Sequence, residues 1–338
     1  MDKKSSTSST THEDVQGQPV AKKKKLKHRT IIYDESKANQ WLDDPPLAVW
    51  DHMIIPFLSL RDLALSRHVC TFFEAYWQDK FSNNMLPLHV GNDVATIDRA
   101  MRVIELFSSR RQYTKANPFL VLLGKGDHQI TSSWARPEEE DDEGYVQDDL
   151  ETMLALTCSN IIFLGTGIDT TRILGGFAVC NIENITFKNM TVTHIEENGY
   201  GIYTRNAKVK LTNVALEVGN GSALCIASVS SATAVVATRC EFATSQTGVI
   251  VSGTLASATF NNCVFHDNCM DGITAYNKAT IHLHGEATSL NNNAGHAISA
   301  VNSAKVLIHL PSHHNTFYSN RFTDRSTSRG GTITNVED

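Results

Sequence analysis

Residues 248–273 read GVIVSGTLASATFNNCVFHDNCMDGI, and this stretch contains one full unit of the repeat that decides the fold. The unit starts at Gly248-Val249, and the next one starts at Gly272-Ile273. Other apolar residues occupy the same place in neighbouring units. The series is Ile202, Leu224, Val249, Ile273 and Ala297, and its successive intervals are 22, 25, 24 and 24. A period in the low twenties with short alternating segments is typical of a solenoid with one coil per repeat.

A second series of apolar pairs repeats independently with the same period. Its members are Met190-x-Val192, Val214-x-Leu216, Cys240-x-Phe242 and Cys263-x-Phe265, and its successive intervals are 24, 26 and 23. Side chains of a strand alternate between its two sides, so Ile281 and Leu283 are expected to point inward, with His282 and His284 outward. The sequence therefore predicts a mainly β protein, with a right-handed parallel β-helix over residues 157–338.

The rest of the chain divides into three further predicted segments. Residues 1–40 are polar and basic, lack apolar periodicity and are predicted to be disordered. Residues 41–88 contain three short apolar runs at helical spacing, which predict a small helical module. Residues 89–156 are interpreted as the N-terminal cap of the β-helix, with an acidic run at 138–143 that forms a solvated loop. Within the cap, residues 92–107 predict one amphipathic helix covering the exposed edge of the first coil.

Composition narrows the classes of protein to consider. The formal charge of −6 gives no overall attraction to nucleic acid, and 41% hydrophobic residues are ordinary for a protein with a buried core. We expect a soluble, intracellular protein of the nucleus, the cytoplasm or both, because no secretory signal and no membrane-spanning apolar run is found. The seven cysteines are scattered without a CxxC pair, so they are interpreted as reduced, buried thiols.

A compact basic run stands inside the N-terminal segment. It contains Lys22, Lys23, Lys24, Lys25 and Lys27. The run resembles a nuclear import signal, and the alternative is a solvated basic tail.

The order of the predicted elements resembles the pectin-lyase-like superfamily. An amphipathic helix, a strand ended by glycine and Asn-rich coils follow one another as they do in that fold. The coils resemble the CASH-type repeats found in both sugar-active enzymes and F-box proteins. The closing stretch 308–316, followed by Gly330-Gly331, resembles the ends of predicted β-helix proteins from microalgae and their large viruses.

The helical module resembles an F-box. The matching positions are Pro46, Ile54, Phe57, Leu58, Leu63, Val69, Cys70, Phe73 and Trp77. This resemblance implies that the apolar face of the module docks on a Skp1-like protein and, through it, on a cullin ubiquitin ligase. The β-helix would then present a surface to an unknown protein target. The alternative for the module itself is a helical cap packed on the β-helix.

The coils are poor in the groups that catalysis on polysaccharides needs. Their carboxylates are Glu196, Glu197, Glu217, Glu241, Asp267, Asp271 and Glu286, with no Asp-Asp pair among them. Glu217 and Glu241 lie one interval apart but are expected to face solvent, and the turn at Asn268 is interpreted as ordinary turn chemistry. We therefore predict a non-catalytic adaptor without a cofactor. The alternatives are a β-helix that binds or cleaves carbohydrate and a structural solenoid of algal or viral origin.

The histidines of the last coils form one further cluster. His282, His284 and His309 are predicted to share an outer face on neighbouring coils, with His313-His314 nearby. Close imidazoles can bind Zn²⁺, but no cysteine or carboxylate accompanies them at ligand spacing. The sequence alone therefore favours a solvated polar ladder, and no metal is predicted.

Overall fold

A computed structural model describes residues 87–108, 113–135, 151–194, 199–309, 311 and 317–337. The predicted basic tail, almost all of the F-box-like segment, the acidic run at 138–143 and His313-His314 lie outside these residues. Within the described residues, no helix combines the length and the hydrophobicity needed to cross a membrane.

The described chain contains one helix, α1 (Ile97–Ser108), and twenty-four strands. The strands are β1 (Leu88–Val90), β2 (Phe119–Leu123), β3 (Gly126–Gln129), β4 (Met153–Leu156), β5 (Ile161–Leu164), β6 (Thr171–Leu174), β7 (Gly176–Cys180), β8 (Ile185–His194), β9 (Tyr200–Arg205), β10 (Lys208–Val218), β11 (Ser222–Ala227), β12 (Thr233–Thr238), β13 (Glu241–Ala243), β14 (Thr247–Ser252), β15 (Ala256–Asn261), β16 (Val264–His266), β17 (Ile273–Tyr276), β18 (Thr280–His284), β19 (Ser289–Asn291), β20 (Ile298–Val301), β21 (Lys305–His309), β22 (Phe317–Tyr318), β23 (Arg325–Ser328) and β24 (Thr332–Val336).

The strands form the three faces of a parallel solenoid. Face A runs in the order β1-β2-β5-β8-β10-β12-β15-β18-β21-β24, and face C in the order β4-β7-β9-β11-β14-β17-β20-β23. Face B consists of β3, β6, β13, β16, β19 and β22, together with the second halves of β8 and β10. Every pairing between named strands is parallel, so the predicted parallel β-helix is confirmed.

Asparagines in the left-handed conformation make the corner between faces A and B. Asn189 and Asn213 have φ angles of 55° and 52°, and each stands where its long strand bends. Asparagine adopts this conformation more readily than most residues because its short side chain bonds locally. The Asn213 amide donates to Asn189 Oδ1 at 3.0 Å, and Arg239 Nε donates to Asn213 Oδ1 at 2.8 Å on the next coil. The corner is thus a ladder of hydrogen bonds along the solenoid.

The interior is filled by the apolar residues that the two sequence series contain. Val192, Leu216, Phe242 and Phe265 are all fully buried. Phe242 stacks on Phe265 with ring centroids 5.0 Å apart, which places residues of the second series on adjacent coils in direct contact. The predicted inward direction of Ile281 and Leu283 is confirmed.

The glycine that precedes the first series lies where two coils approach closely. A Cβ added at Gly248 would stand 2.5 Å from the carbonyl oxygen of Gly272, and one added at Gly272 would stand 2.9 Å from that of Ala297. Neither distance leaves room for a side chain without a shift of the backbone. Glycine is therefore needed in the Gly-apolar motif because neighbouring coils approach too closely for a side chain, and not because the backbone adopts an unusual φ angle there.

The predicted capping helix is present, but it begins at Ile97 and not at residue 92. Gly91 turns the chain with a φ of 99°, and its N–H donates to Val94 O at 2.7 Å, so helical geometry starts only after this turn. Thr96 Oγ1 accepts from Arg99 N at 3.3 Å as the N-cap. On its other side the helix contacts the first coil, where Asp98 accepts from the N–H of Ser132 at 2.9 Å.

The parallel sheets extend N-terminal to residue 157, where the β-helix was predicted to begin. Strand β2 pairs with β5 on face A, β3 pairs with β6 on face B, and β4 pairs with β7 on face C. The coil that contains β2, β3 and β4 lacks the Gly-apolar motif.

The prediction that the cysteines are buried holds for only part of them. Cys225, Cys240 and Cys263 are buried, whereas Cys158 and Cys180 are half-buried. Cys269 is exposed because it lies in the turn between β16 and β17, and this corrects the prediction for that residue. None of the six cysteines in the described residues forms a disulfide, and Cys70 lies outside them.

Candidate binding surface on the outer side of face A

The outward side chains of face A form straight rows along the solenoid, because the strands are in register. One row contains Ile162, Thr186, Lys210, Val236, Thr259, His282 and Leu307. Neighbouring strands of a sheet lie about 4.8 Å apart, so each row offers one side chain at that interval. Lysines stand near one end of the face and histidines near the other.

The lysines line an open depression of about 390 Å³ on β5, β8, β10 and β12. Its floor is apolar, with Ile162 and Val236 among the lining residues, and Val236 is 42% exposed. Its polar groups are the amides of Asn160 and Asn184, the hydroxyl of Thr186, and three ammonium groups. These are Lys115, Lys208 and Lys210. We call this depression the lysine groove.

The charge of the lysine groove is only partly neutralised. Lys208 Nζ lies 2.7 Å from Glu183 Oε1, in an ion pair whose two side chains are about half exposed. Among the described residues, neither Lys115 nor Lys210 has a carboxylate within 4.0 Å, and no carboxylate lines the groove. The groove therefore presents net positive charge to a ligand even though the whole chain is negative.

The sequence analysis did not predict this groove, although the residue pairs that form it recur at the coil interval in the sequence. Asn160-x-Ile162, Asn184-x-Thr186 and Lys208-x-Lys210 follow one another one coil apart. Each pair occupies two outward positions where its strand begins. The lysines are conspicuous only when the three coils are superposed.

The three histidines that were predicted to share an outer face do so. His282 Nδ1 lies 3.0 Å from His309 Nε2, and the rings of His284 and His309 stack with centroids 4.1 Å apart. All three side chains are half-buried. Burial lowers the pKa of His282, and the neighbouring charge of His309 lowers it further. His282 therefore favours its neutral form at neutral pH.

A second cluster, on face B, joins two of the carboxylates considered for catalysis. His266 Nε2 contacts Glu241 Oε1 at 2.8 Å, and His266 Nδ1 contacts Asp267 Oδ2 at 2.6 Å. The hydrogen bond to Glu241, helped by Asp267, raises the pKa of His266 to about 9, and the same bond lowers the pKa of Glu241. At neutral pH His266 is therefore an imidazolium held between Glu241 and Asp267, and both carboxylates are engaged by it.

The structure corrects the pairing of the glutamates inferred from their spacing. Glu217 lies in register with Ala243, and the partner of Glu241 on β10 is Ala215. The step between these two coils is longer than the average period, so the two glutamates are offset by two positions. The link from Glu241 to His266 was missed, although the spacing of these two residues along the chain is close to the period.

Asp271 also has structural partners. Its carboxylate accepts from the N–H of His296 at 2.7 Å and from the hydroxyl of Thr274 at 3.1 Å. These bonds fix the turn before β17 to the next coil. They agree with the interpretation of this region as turn chemistry, and the proposed absence of catalysis remains a prediction.

Comparisons with known proteins agree with the architecture. The family model for the right-handed β-helix region matches residues 173–336. No protein with a curated description matched the sequence. The A-module of mannuronan C-5 epimerase AlgE6 from Azotobacter vinelandii has a TM-score of 0.50 at 13% identity, with 72% of this chain and 66% of that module covered. The chain thus aligns with just under two thirds of the module.

Two further solved structures are similar at lower scores. Rice weevil pectin methyl esterase has a TM-score of 0.39 at 12% identity, with 80% of this chain and 96% of that chain covered. PfbA, a surface adhesin of Streptococcus pneumoniae, has a TM-score of 0.42 at 12% identity, with 75% and 79% covered.

The faces, the register and the family model together define a right-handed parallel β-helix protein. The likeness to the epimerase module is evidence for this fold alone, because identity is so low. The β-helix half of the predicted resemblance is therefore confirmed as a fold. The F-box half, with its Skp1-docking residues, and the nuclear-import lysines lie outside the described residues and stay predictions.

Proposed function

We propose that the β-helix is a binding module whose lysine groove holds an acidic polysaccharide along the solenoid axis. The observation that carries the proposal is a positively charged groove without a carboxylate in its lining. Ammonium groups attract sugar carboxylates, while the hydroxyl of Thr186 suits sugar hydroxyls. The amides of Asn160 and Asn184 bond to each other and to the backbone, and so hold this part of the groove in place. The exposed aliphatic floor suits the C–H face of a sugar ring.

The direction of the ligand follows from the repeat. Successive parallel strands lie about 4.8 Å apart along the axis, so an extended polymer lying along the groove crosses the apolar floor, the polar side chains of β8 and the two lysines of β10 in turn. Lys188 extends the outward charge of β8 beside the groove. An acidic polysaccharide is favoured over a protein ligand because each of its units combines a carboxylate, hydroxyl groups and an apolar C–H face, which match the ammonium groups, the polar side chains and the aliphatic floor of the groove.

The proposed role is binding without cleavage. A lyase of this fold that relies on calcium needs clustered carboxylates around the ion, and the described lining of the groove supplies none. Glu241 and Asp267, on face B, are held by His266. The groups present can therefore hold and orient an anionic chain but do not form an acid–base pair beside it.

Replacing Lys115 and Lys210 together by Ala is expected to weaken binding of polygalacturonate or alginate by about 2–30-fold, since each exposed ion pair contributes about 0.2–1 kcal/mol. Isothermal titration calorimetry on the full-length protein measures this change. Binding should also weaken as salt is added, because exposed charges are screened.

Lys125→Ala is the matched control, because it removes the same charge from an exposed site outside the groove. Equal binding of neutral dextran, or an equal loss in the control, would contradict the proposal. Release of unsaturated or shortened sugars during the titration would show that the module cleaves and would replace the binding role by an enzymatic one.

The second candidate is the adaptor function that the F-box-like segment implies, and it concerns a different part of the chain. Changing Leu63 and Val69 to Ala is expected to abolish co-purification with a Skp1-like protein, since losing a buried anchor costs about 2–5 kcal/mol. Leu255→Ala, at a leucine that is 51% exposed on the β-helix, is the control. If the unmutated protein retains no Skp1, the adaptor function fails, whatever the groove binds.

A further inference from the structure

The histidine cluster contains residues from two neighbouring coils, and these residues lie on one outward surface. His282 and His284 are two residues apart on β18 and therefore point to the same side of face A. His309 ends β21, the next strand of the face, and its ring stacks against that of His284. Elsewhere along the same rows the outward residues are mostly threonine, asparagine or aliphatic, so the three imidazoles form a distinct group.

The geometry points to a metal site, and we propose that His282, His284 and His309 together bind a divalent ion of the zinc class. One ring nitrogen from each residue can be chosen so that all three lie within 4.8 Å of one another. With Zn–N bonds of about 2.0–2.1 Å, the ligand atoms of a tetrahedral site lie about 3.3 Å apart. The widest of these separations therefore has to shorten by about 1.5 Å at most.

The surroundings allow this adjustment. The three side chains are half-buried on a surface, and their rings are nearly parallel, with interplanar angles of 6°, 16° and 21°. The lone pair of each nitrogen lies in its ring plane, so the stacked rings must rotate about their side-chain bonds before the three nitrogens converge on one ion, and a surface position leaves space for that rotation. The strand backbone fixes the spacing of the three Cα atoms, so the ligands are held together before the ion arrives.

The donor set selects the kind of ion. Imidazole nitrogen suits zinc, copper, nickel and iron, whereas calcium and magnesium prefer oxygen ligands. Within the described residues, these three histidines are the group of metal-ligating side chains close enough to share an ion. Three protein ligands leave one position of a tetrahedral ion open to water or to an incoming carboxylate. This proposal stands independently of polysaccharide binding at the lysine groove.

Zinc titration of the full-length protein, after treatment with a chelator, tests the site. The unmutated chain is expected to bind one more Zn²⁺ than the His284→Ala and His309→Ala double variant. Each single variant is expected to bind this ion at least about 100-fold more weakly, because even changes next to a ligand cost about 10–100-fold. Co²⁺ supplies a spectroscopic readout, since four-coordinate Co²⁺ absorbs strongly in visible light.

His296→Ala is the matched control, because this histidine is half-buried like the other three but lies outside the cluster. The chain has fourteen histidines, so the decisive result is the loss of one site in the cluster variants and none in the control. Unchanged stoichiometry and affinity in the double variant, or no zinc uptake by the unmutated chain, would overturn the proposal. Circular dichroism verifies that each variant is folded. If an alanine variant unfolds, His282→Gln serves in its place, with the same expected loss.

Discussion

Phe265→Ala is expected to lower the free energy of unfolding by about 3–5 kcal/mol, which is the usual cost of emptying a buried aromatic site. Phe265 is fully buried, stacks on Phe242 at 5.0 Å and meets the edge of Phe260 at 5.2 Å. Two coils contribute to this contact, so the cavity left by the Phe265→Ala substitution lies between two repeats and not within one. A solenoid depends on such contacts because each coil touches only its neighbours.

Equilibrium unfolding in urea, followed by circular dichroism, measures this change. Phe322→Ala is the control, because its side chain is 61% exposed and its removal should cost less than about 0.5 kcal/mol. A loss below about 1 kcal/mol for Phe265→Ala would mean that the stacked rings do not carry the stability assigned to them. It would also mean that the coils relax into the cavity.

The repeat period and the inward-facing positions can be predicted from the sequence, because the need to bury apolar side chains shapes the residue pattern of each strand separately. Phe242 and Phe265 belong to a visible series, since every coil must supply an apolar residue at that place. The same alternation placed His282 and His284 outward correctly. These predictions required only the period of two within a strand and the period of a coil.

The features that were missed depend on the exact offset between coils. The lysine groove arises because Asn184 and Lys208 share a row. The contact between His266 and Glu241 arises because Glu241, on the preceding coil, lies two positions before Ala243, the register partner of His266. Coil lengths vary by several residues, so an average period cannot say which residues are neighbours. The error over Glu217 and Glu241 had this cause.

The first coil was missed for another reason. Strands β2 to β4 lack the glycine motif, so this coil does not join the first series in the sequence. Its place in the solenoid follows only from the pairing of these strands with β5, β6 and β7.

The role of Asn268 is overlooked when its turn is considered without the equivalent turns of the neighbouring coils. It was interpreted as ordinary turn chemistry, yet its side chain is 1% exposed and belongs to a ladder with Asn293 and Asn320 on the following coils. The first two members repeat one pattern, since the amides of Asn268 and Asn293 each donate to a backbone oxygen and to the next asparagine. Asn293 donates to Phe265 O at 3.2 Å, as Asn268 donates to Phe242 O at 3.2 Å. The available signal was that the three asparagines follow one another at about the length of a coil.

Asn268→Leu is therefore expected to lower the free energy of unfolding by about 2–4 kcal/mol, although leucine is similar in size. The change removes the acceptor of the buried Ser245 N–H and the donor to Asn293 Oδ1, and each unsatisfied buried group costs about 1–3 kcal/mol.

Urea unfolding measures the loss, and Asn335→Leu is the control, because that asparagine is exposed and accepts one hydrogen bond, from Arg325. The control should change stability by less than about 0.5 kcal/mol. If Asn268→Leu is neutral or stabilising, the apolar gain outweighs the lost hydrogen bonds, and the asparagine ladder does not hold the coils together.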